Sequence, residues 1–270
     1  MATWDFACSE PMDANVSIAA GTVSLIAAPT DVVTVQIYKG RVSGDDREQL
    51  ADDVTVDYSD RHLVVSELPR RGLGWRGKDL HVTIAMPAGS RAAVQAASAD
   101  VTCRGEYGAV DIRTASGRID VETVRGPADI TTMSGSIAVL EAAEATAQTA
   151  SGRISIRHAS GDVMARTASG NIVIVAAEAS VTAKTASGQV QVNSMTRGRG
   201  DMNSVSGDTE VKVVSGTGVY LDLASVTGRV TSDLDDAGQE DGGGADLRLQ
   251  CRTVSGSLHV ARAASAEMAS

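Results

Sequence analysis

Asp111 and Asp129 lie 18 residues apart, the same interval that separates Gly117 from Gly135. In a chain that coils with this period, the two carboxylates take equivalent outward positions on neighbouring coils, with Arg113 beside the first. Carboxylates so close could share a proton or hold a cation. β-Helical enzymes that cleave polysaccharides mount acids and bases on the outer faces of adjacent coils in this way. A mixed polar strand face produces the same pair, however, and no long insertion near these coils builds a cleft. The residues therefore favour a solvated surface over catalysis, and no catalytic set is assigned.

Two further groups could bind a ligand. In the stretch 69–78, Arg70, Arg71, Arg76 and Lys78 flank Trp75 with no acid among them. Cations beside an aromatic ring suit a phosphate, a sugar or a base, although a glycine-rich hairpin connection has the same composition. Arg113, Arg166 and Lys184 each stand four residues before a repeat glycine, and Arg118 and Arg153 directly follow one. Outward residues repeated coil after coil are how solenoids build extended binding surfaces. Thr131 and Gln148 interrupt the first row and Ser136 the second, so these rows too read first as solvated.

Other chemistry finds little support. His62, His81, His158 and His259 are dispersed, and no His-x-x-x-His, Cys-x-x-Cys or phosphate-binding glycine loop occurs. No metal or cofactor is expected. The acidic, glycine-rich segment 233–246 has oxygen ligands to offer, but its spacing fits neither an EF-hand nor a calcium-binding β-roll. Cys8, Cys103 and Cys251 are odd in number and far apart, which argues for buried thiols rather than a disulfide framework.

The elements that must carry these residues follow from a repeated phrase. Thr114-Ala115-Ser116-Gly117 returns as Thr132-Met133-Ser134-Gly135, Thr149-Ala150-Ser151-Gly152, Thr167-Ala168-Ser169-Gly170 and Thr185-Ala186-Ser187-Gly188, with glycine spacings of 18, 17, 18 and 18. Five equivalent serines describe a corner, not a nucleophile. Seven residues before each glycine stand Val110, Ala128, Ala145, Val163 and Val181; two after stand Ile119, Ile137, Ile154, Ile172 and Val190. Apolar residues alternate with polar ones on both sides of the corner, so each coil holds two short strands with one face inward. The threonines share the inward parity, and their hydroxyls are expected to bond one another or the turn backbone.

The register extends to Ala92, Val94, Val101 and Cys103, then to Val211, to Leu221, Leu223 and Val230, and to Leu249, Cys251, Leu258 and Val260. Earlier alternation at Val16, Ile18, Val23, Leu25, Val33, Val35 and Ile37 marks N-terminal strands. The expected architecture is all-β: a single-domain β-solenoid over 1–264 with coils of about 18 residues. Residues 1–90 would form strands and a cap, 91–232 the regular repeats, 233–246 a loop and 247–264 the last coil. A short helix is predicted over 45–53, and a disordered tail over 265–270.

The chain resembles the bacterial putative-adhesin family, a domain of unknown function built from β-strand repeats. The resemblance rests on Gly21-Thr22-Val23-Ser24-Leu25, on Met86-Pro87-Ala88-Gly89, on the serine-glycine run and on the closing Thr253-Val254-Ser255-Gly256-Ser257-Leu258-His259-Val260. It implies a β-solenoid whose adhesin label reflects architecture more than activity.

Net charge is −10 over 270 residues, with acids and bases interspersed, which disfavours nucleic acid as a partner. The first twenty residues carry Asp5, Glu10 and Asp13 with no basic residue or signal-like apolar run, and no stretch reaches membrane-spanning length. A cytoplasmic, non-enzymatic scaffold or protein-interaction module, self-associating through open coil ends, is the leading expectation. A carbohydrate-binding or carbohydrate-active β-helix protein is the alternative.

Overall fold

The computed structural model describes residues 2–39, 54–68, 79–234 and 246–263. Among these, the regular structure is all β, and the fold is a β-solenoid. The helix expected over 45–53, the tail 265–270 and residues 235–245 of the acidic segment lie outside the described residues. The chain divides into two compact units, 1–135 and 136–270.

The first unit holds β1 (Ala2–Ala7), β2 (Asp13–Ala28), β3 (Val32–Lys39), β4 (Val54–Ser59), β5 (His62–Glu67), β6 (Leu80–Pro87), β7 (Arg91–Tyr107), β8 (Ala109–Ser116) and β9 (Ile119–Ser134). One ladder runs β4, β5, β2, β7, β8, β9. A second runs β1, β3, β6, β2, β7, β9. The long strands β2, β7 and β9 turn a corner and serve both ladders, where two short strands per coil were expected. The β4–β5, β1–β3 and β3–β6 pairings are antiparallel, so hairpin-like strands close this unit. Aromatic side chains join the two edges: Phe6 on β1 stacks on Tyr58 of β4 with ring centroids 4.8 Å apart. In a chain with only seven aromatic residues, this places large apolar surface where no further coil among the described residues supplies cover.

The second unit holds β10 (Ile137–Ser151), β11 (Ile154–Ala159), β12 (Val163–Ser169), β13 (Ile172–Ala177), β14 (Val181–Ser187), β15 (Val190–Met195), β16 (Gly198–Ser206), β17 (Thr209–Val213), β18 (Val219–Ser225), β19 (Val230–Ser232), β20 (Leu247–Ser255) and β21 (Leu258–Arg262). All ladders here are parallel. One runs β10, β12, β14, β16, β20, β18, the other β10, β11, β13, β15, β17, β21, β19. Stacking therefore departs from chain order. The coil that comes last in sequence, β20–β21, slots between β16–β17 and β18–β19.

This order explains where the inward register fails. Ile154, Ile172, Val190, Val211, Leu249, Cys251, Leu258 and Val260 are buried. Leu221 and Leu223, equivalent in parity, are only half-buried, and Val230 is 42% exposed. Their coil is the outermost one, with a neighbour on one side only among the described residues.

Inside the second unit, volume is conserved coil by coil. Val181 and Ala183 are followed one coil on by Gly200 and Met202, and Ala177 by Met195. A Cβ on Gly200 would sit 2.5 Å from a Leu249 methyl and 3.1 Å from the Met202 methyl. Methionine, the adaptable core residue, fills the space that glycine leaves.

The corner glycine is a steric requirement. A Cβ on Gly188, where φ is +144°, would lie 2.0 Å from the Gly170 carbonyl oxygen of the coil beneath, so only glycine lets the coils stack here. Threonine behaves less uniformly than expected. Thr114 Oγ1 donates to the Ser116 carbonyl at 2.8 Å, and Thr185 Oγ1 to that of Gly170 at 3.3 Å. The hydroxyls of Thr132, Thr149 and Thr167 are buried without a partner. The serine carbonyls at these corners already accept coil-to-coil bonds, as Ser169 does from Gly152 N–H and Ser187 from Gly170 N–H.

Candidate functional site

Arg70, Arg71, Trp75, Arg76 and Lys78 lie outside the described residues. The other sequence candidates fall on two outer faces, one in each unit.

In the first unit, Asp111 on β8 stands directly opposite Asp129 on β9. Arg113 donates to Asp111 at 3.0 Å, which sets a counter-charge beside the two carboxylates. The same row continues through Ala93 to Asn15 on β2. Next to it run His62, Asp13 and Arg91, with His62 Nδ1 3.3 Å from Asp13. Ala93 and Ala109 leave a depression of 370 Å³ between these polar groups. The pairing of β5 with β2 brings His62 and Asp13 here, and no repeat motif announces it.

In the second unit, the row four residues before the corner glycine reads Gln148, Arg166, Lys184, Asn203, Arg252 and Ala224 across successive strands. The intercalated last coil thus adds Arg252 to a row that the sequence traced only as far as Lys184. Lys184 Nζ lies 3.8 Å from Asp201, and Arg252 lies 3.4 Å from Asp222. Arg166 is exposed and has no ion-pair partner among the described residues.

Two positions further along each strand, still on the outer face, the residues are Ala168, Ala186, Val205, Val254 and then Val226. These valines are 54%, 50% and 75% exposed respectively. Together with the cations they border a trough of 670 Å³ lined also by Thr167, Thr185, Ser204 and Thr253. The periodicity held the signal, since Val205, Val226 and Val254 all stand two before a glycine, but alanine fills that position in four of the five regular repeats and Met133 in the other.

The buried nucleophiles are set aside by their surroundings. Burial pushes the thiols of Cys103 and Cys251 up to about 12, and Tyr107 is raised by the same cause. Tyr58 is pushed up to about 12, first by its hydrogen bond with the Cys8 thiol. Such thiols are neutral and packed, unlike reactive cysteines. Among the described residues, no three His, Cys, Asp or Glu side chains come together as metal ligands. No described helix is long and apolar enough to cross a membrane.

No curated protein matches the chain. Among solved structures, a putative adhesin from Bacteroides fragilis is 11% identical, covers 96% of both chains and has a TM-score of 0.53, a likeness of fold. A putative lipid binding protein and a putative adhesin, both from Parabacteroides distasonis, are 13% and 12% identical with TM-scores of 0.47 and 0.43, each match covering 96% of both chains. The Toastrack DUF4097 profile matches residues 12–176. That span is more than half of a chain whose corners, parallel ladders and inward register are those of a repeat solenoid, and the protein belongs to the Toastrack DUF4097 family.

Proposed function

We propose that the protein is a non-enzymatic, adhesin-like scaffold that joins to a second copy through the outermost coil, β18–β19. The observation that carries this reading is the incomplete cover of that coil among the described residues. Leu249 and Cys251 on β20 are fully buried, whereas their ladder partners Leu221 and Leu223 on β18 are not, and Tyr220 and Val230 are 56% and 42% exposed. A strand edge with unpaired N–H and C=O groups beside apolar side chains is a template for another strand. The same edge on two molecules is self-complementary, which suits a two-fold contact.

Sedimentation across a concentration series tests this. The mass should rise above the 27.7 kDa of one chain, and Val230→Lys, a charge on the edge, should return it to that value. A wild-type protein that stays monomeric throughout removes the reading.

A second reading, carbohydrate binding, draws on the depression between Asn15, Arg91, Asp111 and Asp129, which offers donors and acceptors around a small floor. Glycan-array binding lost in Asp129→Ala would support it; a blank array would end it.

A further inference from the structure

From the trough of the second unit we infer a binding site for a free, single-chain anionic amphiphile, a long-chain carboxylate, lying along the stack with its head at Arg166 and its tail over Val205, Val254 and Val226. The tail end of this site, at Val226, reaches the outermost coil used by the self-association reading, whereas Arg166, Val205 and Val254 lie on strands outside that edge, so substitutions there test the site without touching the edge.

The trough is polar at one end and apolar at the other. At the Arg166 and Lys184 coils, the neighbouring outward residues are Ala168 and Ala186, so the cations dominate. Over the next three coils, β16, β20 and β18, the alanines give way to Val205, Val254 and Val226, each at least half exposed. Arg166 is free to take a carboxylate. Lys184 beside it adds positive charge, its contact with Asp201 being the longest of these pairs at 3.8 Å. Arg252 is held by Asp222, which leaves the positive end of the trough at Arg166. Four steps of about 4.8 Å separate β12 from β18, so the groove runs about 19 Å.

The main chain decides between an acyl chain and a peptide. β12, β14, β16 and β20 each pair with a strand on both sides, so their N–H and C=O groups are spent within the ladders. A peptide laid in the trough would desolvate its own backbone without partners. An acyl chain has no such groups and gains only from covering the valines. The equivalent face of the first unit gives an internal comparison: it is a hollow of 590 Å³, but its one cation there, Arg113, is tied to Asp111. Its exposed apolar residues, Leu68 and Met133, lie to either side of the strand that carries Arg113, so no continuous apolar row among the described residues leads away from a free cation.

The test is calorimetric titration of the full chain with laurate below its micelle concentration. Saturable binding at one site is expected, weakened roughly tenfold or more by Arg166→Glu and likewise by Val205→Asn with Val254→Asn, a loss of about 1.4 kcal/mol or more in each. Dodecanol, which keeps the chain, and butyrate, which keeps the charge, should each bind at least roughly tenfold more weakly than laurate. Unchanged thermal unfolding of the variants shows that they remain folded, and Arg113→Glu serves as a control with laurate binding unaltered. Absence of saturable binding overturns the proposal. So does equal binding of butyrate, an insensitivity to Arg166→Glu, or association with phosphatidylglycerol vesicles without binding of the monomer.

Discussion

Asn203 on β16 is the register partner of Arg252 on β20, while Ala224, closer to Asn203 in the chain, lies on the far side of Arg252. This one relationship reorders the end of the second unit. It builds the cation row of the trough, buries Leu249 and Cys251 between two coils, and leaves Leu221, Leu223 and Val230 at the edge.

The inside and outside of the coils can be separated with one pair of substitutions. Ile154 is fully buried between Ile137 and Ile172, and the adjacent Arg153 is exposed. Ile154→Asp places an unpaired charge in the core and should cost more than about 3 kcal/mol. Arg153→Ala should stay within about 0.5 kcal/mol of wild type. Urea unfolding of the two variants checks this, and equal midpoints would contradict the register.

Glycine at the corner should be separable from glycine in an open turn. Gly188 and Gly216 both have positive φ, at +144° and +85°, but a Cβ on Gly188 meets the Gly170 carbonyl at 2.0 Å, whereas one on Gly216 meets nothing within 4 Å. Gly216→Ala should therefore lose about 1 kcal/mol, the backbone cost alone. Gly188→Ala should lose about 2 kcal/mol or more, since the coil beneath must also move. Denaturant midpoints measured side by side decide it; a larger loss at Gly216 would show that stacking clearance is not what the corner glycine supplies.

Much of this fold was legible in the chain because two local rules act together. Alternation decides which residues of a strand face inward, and a corner glycine pressed against the carbonyl below sets the interval. Ile119, Ile154, Val190 and Leu258 are thereby placed on the core side from spacing alone. What a one-dimensional period does not contain is the order in which coils stack. Gly228 and Gly256 head equally good repeats, and nothing in either marks the second as interior. The acid-lined depression escaped for a related reason, as His62 and Asp13 meet only through the pairing of β5 with β2, which no repeat announces. Satisfaction of the threonine hydroxyls depends on which carbonyls the ladders leave free, and that is a property of the assembled stack.

The buried thiols predict how stability responds to alkali. Cys103 and Cys251 have folded values raised from 9.0 to about 12 by burial. A raised value means that the folded chain keeps its thiol protons where the unfolded chain has lost them, so stability falls as pH rises. The contribution is complete below about pH 9 and is lost progressively between about 9 and 12, at a slope of up to about 1.4 kcal/mol per pH unit for each thiol. Cys103→Ala with Cys251→Ala should flatten this part of the profile while lowering stability at neutral pH through the space left in the core. Urea unfolding at pH 7, 9 and 10 measures both effects. Thiol-specific labelling at pH 8 should modify neither residue until the coils open; rapid labelling of Cys251 in the folded chain would mean that β20 is not held between β16 and β18.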